Sequence, residues 1–329
     1  MKHSVLRQIL NFVIIVGLGS VAIWLVSHQQ YVIDQIAVWQ YHPSLQVATL
    51  AERDTLTSDA TFVFNASQPV VEDAASFNKD CINTEQGSAI LGCYVGNRMY
   101  IYNVTDPQLD GIQEATAAHE MLHAEYQRLS AAERTKVNAL VEAEYVKLKD
   151  NPDFSDRMAL YARTEPGQRD NELHSIIGTE VSQLSPELEA YYGTYFKDRQ
   201  AVVKMHDAYN SQFVTLAAKK TELATKLSAL NARIDTETKQ YNADASSLNT
   251  SISDFNAKAA AGGFGSQAEF TSARSALVGR VNALNAQRDT INANITAYQA
   301  LYAEYQSVAG QSDSLTRSID SNLAPAPSL

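Results

Sequence analysis

Two long proline-free stretches with apolar residues in 4-3 alternation constrain this chain of 329 residues more than any other feature. Ser185-Pro186-Glu187-Leu188-Glu189 opens the first as a helix start, with Ser as cap, Pro in the first turn and Glu early. From there to Phe255 no further Pro occurs and Gly193 is the one Gly. Leu223, Leu227, Leu230, Ile234, Tyr241, Leu248 and Phe255 fall at coiled-coil spacing, with polar residues in the intervening core positions. Ala259 to Ser266, with Gly262, Gly263 and Gly265, reads as a turn. Beyond it Leu277, Val281, Leu284, Arg288, Ile291, Ile295, Tyr298, Tyr302 and Tyr305 keep the alternation without a slip. The pattern predicts an antiparallel helical hairpin over residues 186–310. Its first arm, Pro186 to Lys258, would reach about 110 Å at 1.5 Å per residue. The tail from Gln311 to Leu329 is expected to be disordered. Such a hairpin carries no catalytic residue; it suits a spacer, a coiled-coil partner or a homo-oligomer.

At the other end, Ile9 to Val26 is a near-continuous apolar run of about the length that spans a bilayer core. Lys2 and Arg7 precede it and no Lys or Arg follows until Arg53. The positive-inside rule then keeps the N-terminus in the cytoplasm and the rest of the chain outside. A cleaved signal peptide is the competing reading, but Trp24 to Gln29 offers a poor small-x-small cleavage site. Residues 1–28 are therefore read as an uncleaved single-pass membrane anchor. With a net charge of -11 and no basic cluster interleaved with aromatics, nothing suggests nucleic-acid binding, and no nucleic-acid partner is expected.

Between anchor and hairpin, residues 29–185 hold mixed elements. Gln30 to Ala60 reads as mixed helix, with Ser44 placed to cap a short one running through Leu50 and Ala51. Thr61-Phe62-Val63-Phe64-Asn65 reads as a strand closed by Pro69. Cys81 and Cys93, the only two cysteines, predict one disulfide in an exported chain. Two β-rich runs around Gly96-Asn97 predict a hairpin, the second running Arg98 to Val104. The stretch from Ile112 to Lys149 lacks Gly and Pro and is rich in Ala, Glu, Gln, Leu and Met, so it should be helical. Within it, Ala131 to Lys149 is a second amphipathic helix with Val137, Leu140, Val141, Tyr145 and Leu148 on its apolar side. Asn151-Pro152 breaks it, and Met158 to Arg163 follows.

The first of these helices contains His119-Glu120-Met121-Leu122-His123. Residues four apart share a helix face, so His119 and His123 point the same way and can hold one Zn²⁺. Glu120, beside the first ligand, can reach water at the ion rather than the ion itself.

This motif resembles that of the zincin metallopeptidases. In their gluzincin branch a Glu opening a Glu-x-x-Ala/Ser pattern on a later helix is the third ligand. Glu172-Leu173-His174-Ser175 fits that pattern, with Asn171 or Asp170 placed to cap its helix. Ile176 departs from it, because the family usually has Asp or Asn there to hold a ligand His. Glu180, two turns on, and His174 are the competing third ligands, ranked below Glu172. The resemblance also implies a Tyr or His near the site that stabilises an oxyanion, for which Tyr161 and His174 are the candidates. It further implies that the hairpin before the motif helix rims a substrate cleft. The expectation is an α+β, zincin-like catalytic domain followed by the helical coiled-coil hairpin. It would be a membrane-anchored, extracytoplasmic zinc metallopeptidase acting on a peptide or protein substrate. The alternative is a non-catalytic, zincin-derived coiled-coil scaffold that binds a partner.

Overall fold

The computed structural model describes residues 2–81, 89–164 and 166–323. It is mostly helical, with one three-stranded sheet. The chain divides into two compact units, Met1–Gln212 with Leu315–Leu329, and Phe213–Ser314. The expected division between 185 and 186 thus falls inside the first unit.

The first unit begins with α1 (Lys2–Ser27) and α2 (Gln29–Gln40). Among the described residues no single helix is long and apolar enough to cross a membrane; Asn11–Ser27 and Gln29–Gln40, bent by 79°, pass that test together. Ser44 accepts a hydrogen bond from the Val47 amide and caps α3 (Leu45–Arg53), as its sequence predicts. The expected strand at Thr61–Asn65 is instead part of a helix, α4 (Ser58–Ala66), capped by Thr57. Ala60, Val63 and Phe64 are buried, a helical spacing that packing on α2 and on the motif helix rewards over the β-propensity of Phe and Val.

The sheet has the order β1-β3-β2. β1 (Val70–Glu72) pairs parallel with β3 (Arg98–Tyr102), and β2 (Gly92–Val95) pairs antiparallel with β3 around the expected Gly96-Asn97 turn. Between β1 and β2 lies α5 (Ala74–Asp80), and the Cys81–Cys93 disulfide ties its end to β2.

Four helices then build the body of the unit. These are α6 (Ile112–Arg128), α7 (Ala131–Leu148), α8 (Pro152–Thr164) and α9 (Arg169–Glu180). Ser130 and Glu133 form a reciprocal capping box that stops α6 and starts α7. α6 is central and packs on α3, α4, β2, β3 and α9. Its Ala117, Ala118, Met121, Leu122 and Ala124 are fully buried. At Gly178 on α9, an added Cβ would sit 2.5 Å from Leu122 Cδ1 and 2.7 Å from Tyr192 Cε1. Only glycine lets α9 lie this close to α6.

The expected first arm is interrupted. α10 (Pro186–Tyr192), capped by Ser185, ends at Gly193, and α11 (Arg199–Ala260) starts afresh. The backbone between them is drawn into a bridge from Phe196 to Leu56, with the Thr57 amide donating to Tyr195 O and the Lys197 amide to Thr55 O. Leu188, Tyr192, Phe196 and Val202 join the core of the first unit.

The second unit holds α11 beyond Gln212 and most of α12 (Gln267–Ile319). The α11 seam is as expected: Leu223, Leu227 and Leu248 are buried, and Glu237 and Asp244 fill polar core positions. On α12 one predicted row holds, with Leu277, Leu284, Ile291, Tyr298 and Tyr305 half-buried. The other does not: Val281 and Ile295 are 39% exposed and Tyr302 48%. Polar residues one position earlier displace that row. Arg280 donates to Ser247 and Ser251, Gln287 donates to Asp244, and Asn294 donates to Glu237 at 2.6 Å. At the tip, Phe255, Phe264 and Phe270 cluster with ring centroids 5.2–5.3 Å apart.

The tail expected to be disordered from Gln311 is helical to Ile319. Leu315 is buried, and Asn78 Nδ2 donates to Ser321 O at 3.1 Å. The rest of that expectation, residues 324–329, lies outside the described residues.

Candidate metal centre

α6 presents His119 and His123 one turn apart, and their Nε2 atoms stand 3.1 Å from each other. Glu172, on the packed helix α9, points its carboxylate at the same spot. Its Oε1 is 3.4 Å from His123 Nε2 and its Oε2 is 3.7 Å from His119 Nε2. A tetrahedral zinc ion with arms of about 2.0–2.1 Å has ligand-to-ligand edges of about 3.3–3.4 Å. The Nε2–Nε2 and His123–Oε1 separations come close to such edges, while the carboxylate turns its other oxygen, Oε2, to His119 at 3.7 Å. Glu120 completes a His119-Glu120-His123 group whose ligand atoms all lie within 4.8 Å of one another. The donor set is two imidazoles and carboxylate oxygen, which suits a divalent metal ion.

The orientation of His123 is held from behind. Its Nδ1 lies 3.0 Å from Asn171 Oδ1 and 3.1 Å from Ser175 Oγ. Asn171 Nδ2 in turn donates to Gln168 Oε1, which fixes the amide so that Oδ1 faces the ring. An amide oxygen only accepts, so Nδ1 carries the proton and Nε2 keeps its lone pair toward Glu172. Ile176 places no polar group behind the ring, and residues one before and three after Glu172 supply the support instead. That pair was legible as two polar positions flanking Glu172 on one helix, but Asn171 reads more naturally as a cap. The structure corrects that reading: α9 starts at Arg169 after Gln168, with no side-chain cap. Asp170 Oδ2 accepts from Asn138 Nδ2 at 2.6 Å.

The site opens into a cavity of about 770 Å³ lined by β2, α6, α8, α9 and the start of α11. β2 stands at the edge of the sheet and contributes Gly92, Cys93 and Tyr94 to the wall. The predicted hairpin therefore does rim the cavity, through its first strand. An added Cβ at Gly92 would lie 2.6 Å from Thr116 Cγ2 and 2.9 Å from both Glu120 Cγ and Oε1. The backbone of β2 thus rests directly on the Glu120 side chain. Nothing in the sequence of Gly92 alone marks this contact.

The remaining candidates separate. Tyr161, on α8, lies in the cavity wall with the histidines. Glu180 lines the same cavity but faces Arg157 Nη1 at 2.6 Å and His206 Nε2 at 3.4 Å, not the motif histidines. His174 is turned away from the cavity and fully buried. Its Nε2 lies 2.8 Å from Tyr191 Oη, and Tyr192 Oη donates to its carbonyl. Burial, with His123 and His119 nearby, pushes its pKa down to about 3, so the ring is neutral. The structure brings His174 neither to the ligand atoms nor to an oxyanion position. Comparison of the chain with family models, curated proteins and solved structures finds no match.

Proposed function

We propose that the first unit is a zinc-dependent peptidase, with His119, His123 and Glu172 holding the ion and Glu120 as general base. The observation that supports this reading is the convergence of the two Nε2 atoms, 3.1 Å apart, and the Glu172 carboxylate, 3.4 and 3.7 Å from them. Bound there, zinc supplies Lewis acidity, polarising a substrate carbonyl and acidifying water. Glu120 does the proton work: its carboxylate takes a proton from water and delivers it to the departing amine. Glu120 is 6% exposed and held under β2, so the base is fixed in place before substrate arrives. Asn171 and Ser175 keep the His123 ring in one orientation. The edge strand β2 offers backbone groups that an extended peptide can pair with. Tyr161, which lines the same cavity, is the candidate donor to a developing oxyanion.

The chain is held at a membrane by its N-terminal segment in this reading. Phe12, Ile15, Leu18, Ile23 and Val26 on α1 are exposed, as side chains facing lipid would be. Membrane fractionation with externally added protease tests it. Cleavage of the first unit from outside is expected, and full protection in intact cells overturns the orientation.

The catalytic reading is tested by Glu120→Gln in the full chain. Zinc content is expected to stay at about one per chain while peptide hydrolysis falls about 10²–10⁴-fold. Loss of metal in that variant would make Glu120 a ligand rather than a base. Wild-type protein that holds zinc and cuts no peptide would leave the partner-binding scaffold as the better reading.

A further inference from the structure

A second charged cluster stands in the same cavity and takes no part in the proposed chemistry. Arg157 on α8, Glu180 at the end of α9 and His206 on α11 meet there, all lining the wall. Arg157 Nη1 is 2.6 Å from Glu180 Oε2, and His206 Nε2 is 3.4 Å from the same oxygen. The guanidinium is not satisfied by this arrangement. The contact to Glu180 is close but off the hydrogen-bonding axis, and both Arg157 Nε and Glu180 Oε2 are buried without a hydrogen-bond partner. A guanidinium carries five N–H donors in a rigid fork, and buried donors are normally bonded. Glu180 meets Nη1, and the side chain is 37% exposed in the cavity wall, so a guanidinium donor other than the buried Nε can meet a carboxylate. Phe154 lies under the guanidinium, with Cζ 5.8 Å from the ring centroid, and fixes its plane.

The distance from the metal centre is set by α9. Glu172 and Glu180 are eight residues apart, which is about 12 Å along a helix. An extended peptide rises about 3.3 Å per residue, so this cluster would meet a group about three to four residues from the bond at the metal centre.

We propose that Arg157, held by Glu180, forms a carboxylate-binding subsite. It would select peptides carrying an anionic group, a C-terminal carboxylate or an acidic side chain, about three to four residues from the cleaved bond. The proposal rests on the peptidase reading for its substrate, but the subsite itself is measurable without turnover.

Two measurements on full-length, zinc-loaded protein test it. In the first, arginine residues are labelled with phenylglyoxal and mapped by mass spectrometry, with Arg134 in the same cavity as the internal control. The probe is an N-acetylated tetrapeptide with a free C-terminal carboxylate, set against its C-terminal amide. Protection of Arg157 by the acid and not by the amide is expected. In the second, hydrolysis is compared for that acid and amide pair, and for longer amidated peptides carrying Asp or Asn at the same distance. Wild type should prefer whichever carboxylate the site reads by at least about tenfold, the loss expected from one charge-assisted hydrogen bond. Arg157→Gln should abolish the preference while leaving zinc content and hydrolysis of the uncharged peptide in place. Arg157→Lys, which keeps the charge and the fold but not the fork, should restore only part of it. Preference for the terminal acid alone identifies an end-reading enzyme; preference for Asp alone identifies a side-chain subsite. Protection without any hydrolysis keeps the subsite and overturns the peptidase. Hydrolysis without protection or preference overturns the subsite and keeps the peptidase. Neither protection nor hydrolysis overturns both.

Discussion

At the residue scale, the motif carried its own geometry. Two histidines four apart on a helix must share a face, so His119 and His123 were legible before any fold was known. Glu172 was legible only through a resemblance, and the structure aims its carboxylate at both imidazoles. What could not be read is what depends on chain segments meeting in space. Asp54 is the sharpest case, since nothing near it in sequence marks it as buried. It is fully buried, and neither carboxyl oxygen has a hydrogen-bond partner among the described residues. Burial pushes its pKa well above the usual carboxylate range; Glu114 adds to the shift and Arg53 opposes it. The folded state therefore holds a proton that the unfolded chain releases near pH 4. Between the unfolded pKa and the raised folded one, the native state binds more protons, so stability falls as pH rises. Asp54→Asn removes that dependence. Urea midpoints measured from pH 4 to 7 should show the variant gaining steadily on wild type with rising pH; parallel curves would mean that Asp54 is ionised in the folded protein.

Elements were legible in proportion to how much of their patterning was local. The Ser44 cap, the Gly96-Asn97 hairpin and the break at Asn151-Pro152 are short-range signals, and each stands in the structure. Thr61–Asn65 misled because Phe and Val favour strands, while its burial against α2 and α6 is a tertiary matter. On α12 both apolar rows of the 4-3 alternation were read as the seam, and one of them is displaced where Arg280, Gln287 and Asn294 bond to polar partners on α11. A polar core position thus set the register that an apolar count alone misassigned. The contact of β2 with α6 is of the same kind, since it needs a strand and a helix brought together. There Gly92 gives the strand its only route past Thr116 and Glu120. Gly92→Ala should displace the Glu120 carboxylate without touching the ligand atoms. Hydrolysis is expected to fall about 10–100-fold, the cost of misplacing a catalytic group by an ångström or less, with zinc content unchanged. Unchanged kcat/KM in a zinc-loaded variant would show that β2 moves aside and that its backbone does not position the base.

For the whole molecule, the proposed zinc centre and the helical hairpin belong to different compact units, and this separates their responses to metal. All of His119, His123, Glu172 and their supporting residues lie in Met1–Gln212, and none lies in Phe213–Ser314. A ligand that binds only the folded state stabilises it by RT ln(1 + [L]/Kd), about 2.7 kcal/mol at a hundredfold excess over Kd. For a domain of this size about 1 kcal/mol moves Tm by about 2–4 °C. Chelation should therefore lower the unfolding temperature of the first unit by about 5–10 °C. The second unit, whose seam is built from Leu223, Leu227, Leu248 and interhelical hydrogen bonds, holds no such site and should not respond to chelation on its own account. Calorimetry of the full chain with and without a chelator, read alongside near-ultraviolet circular dichroism from the tyrosine-rich core around Tyr191, Tyr192 and Tyr195, distinguishes the two transitions. Zinc added back should restore the first transition in wild type and leave it low in His119→Ala. A chelator shift of the same size in His119→Ala would place the responding metal elsewhere in the molecule and remove the centre from the proposed chemistry.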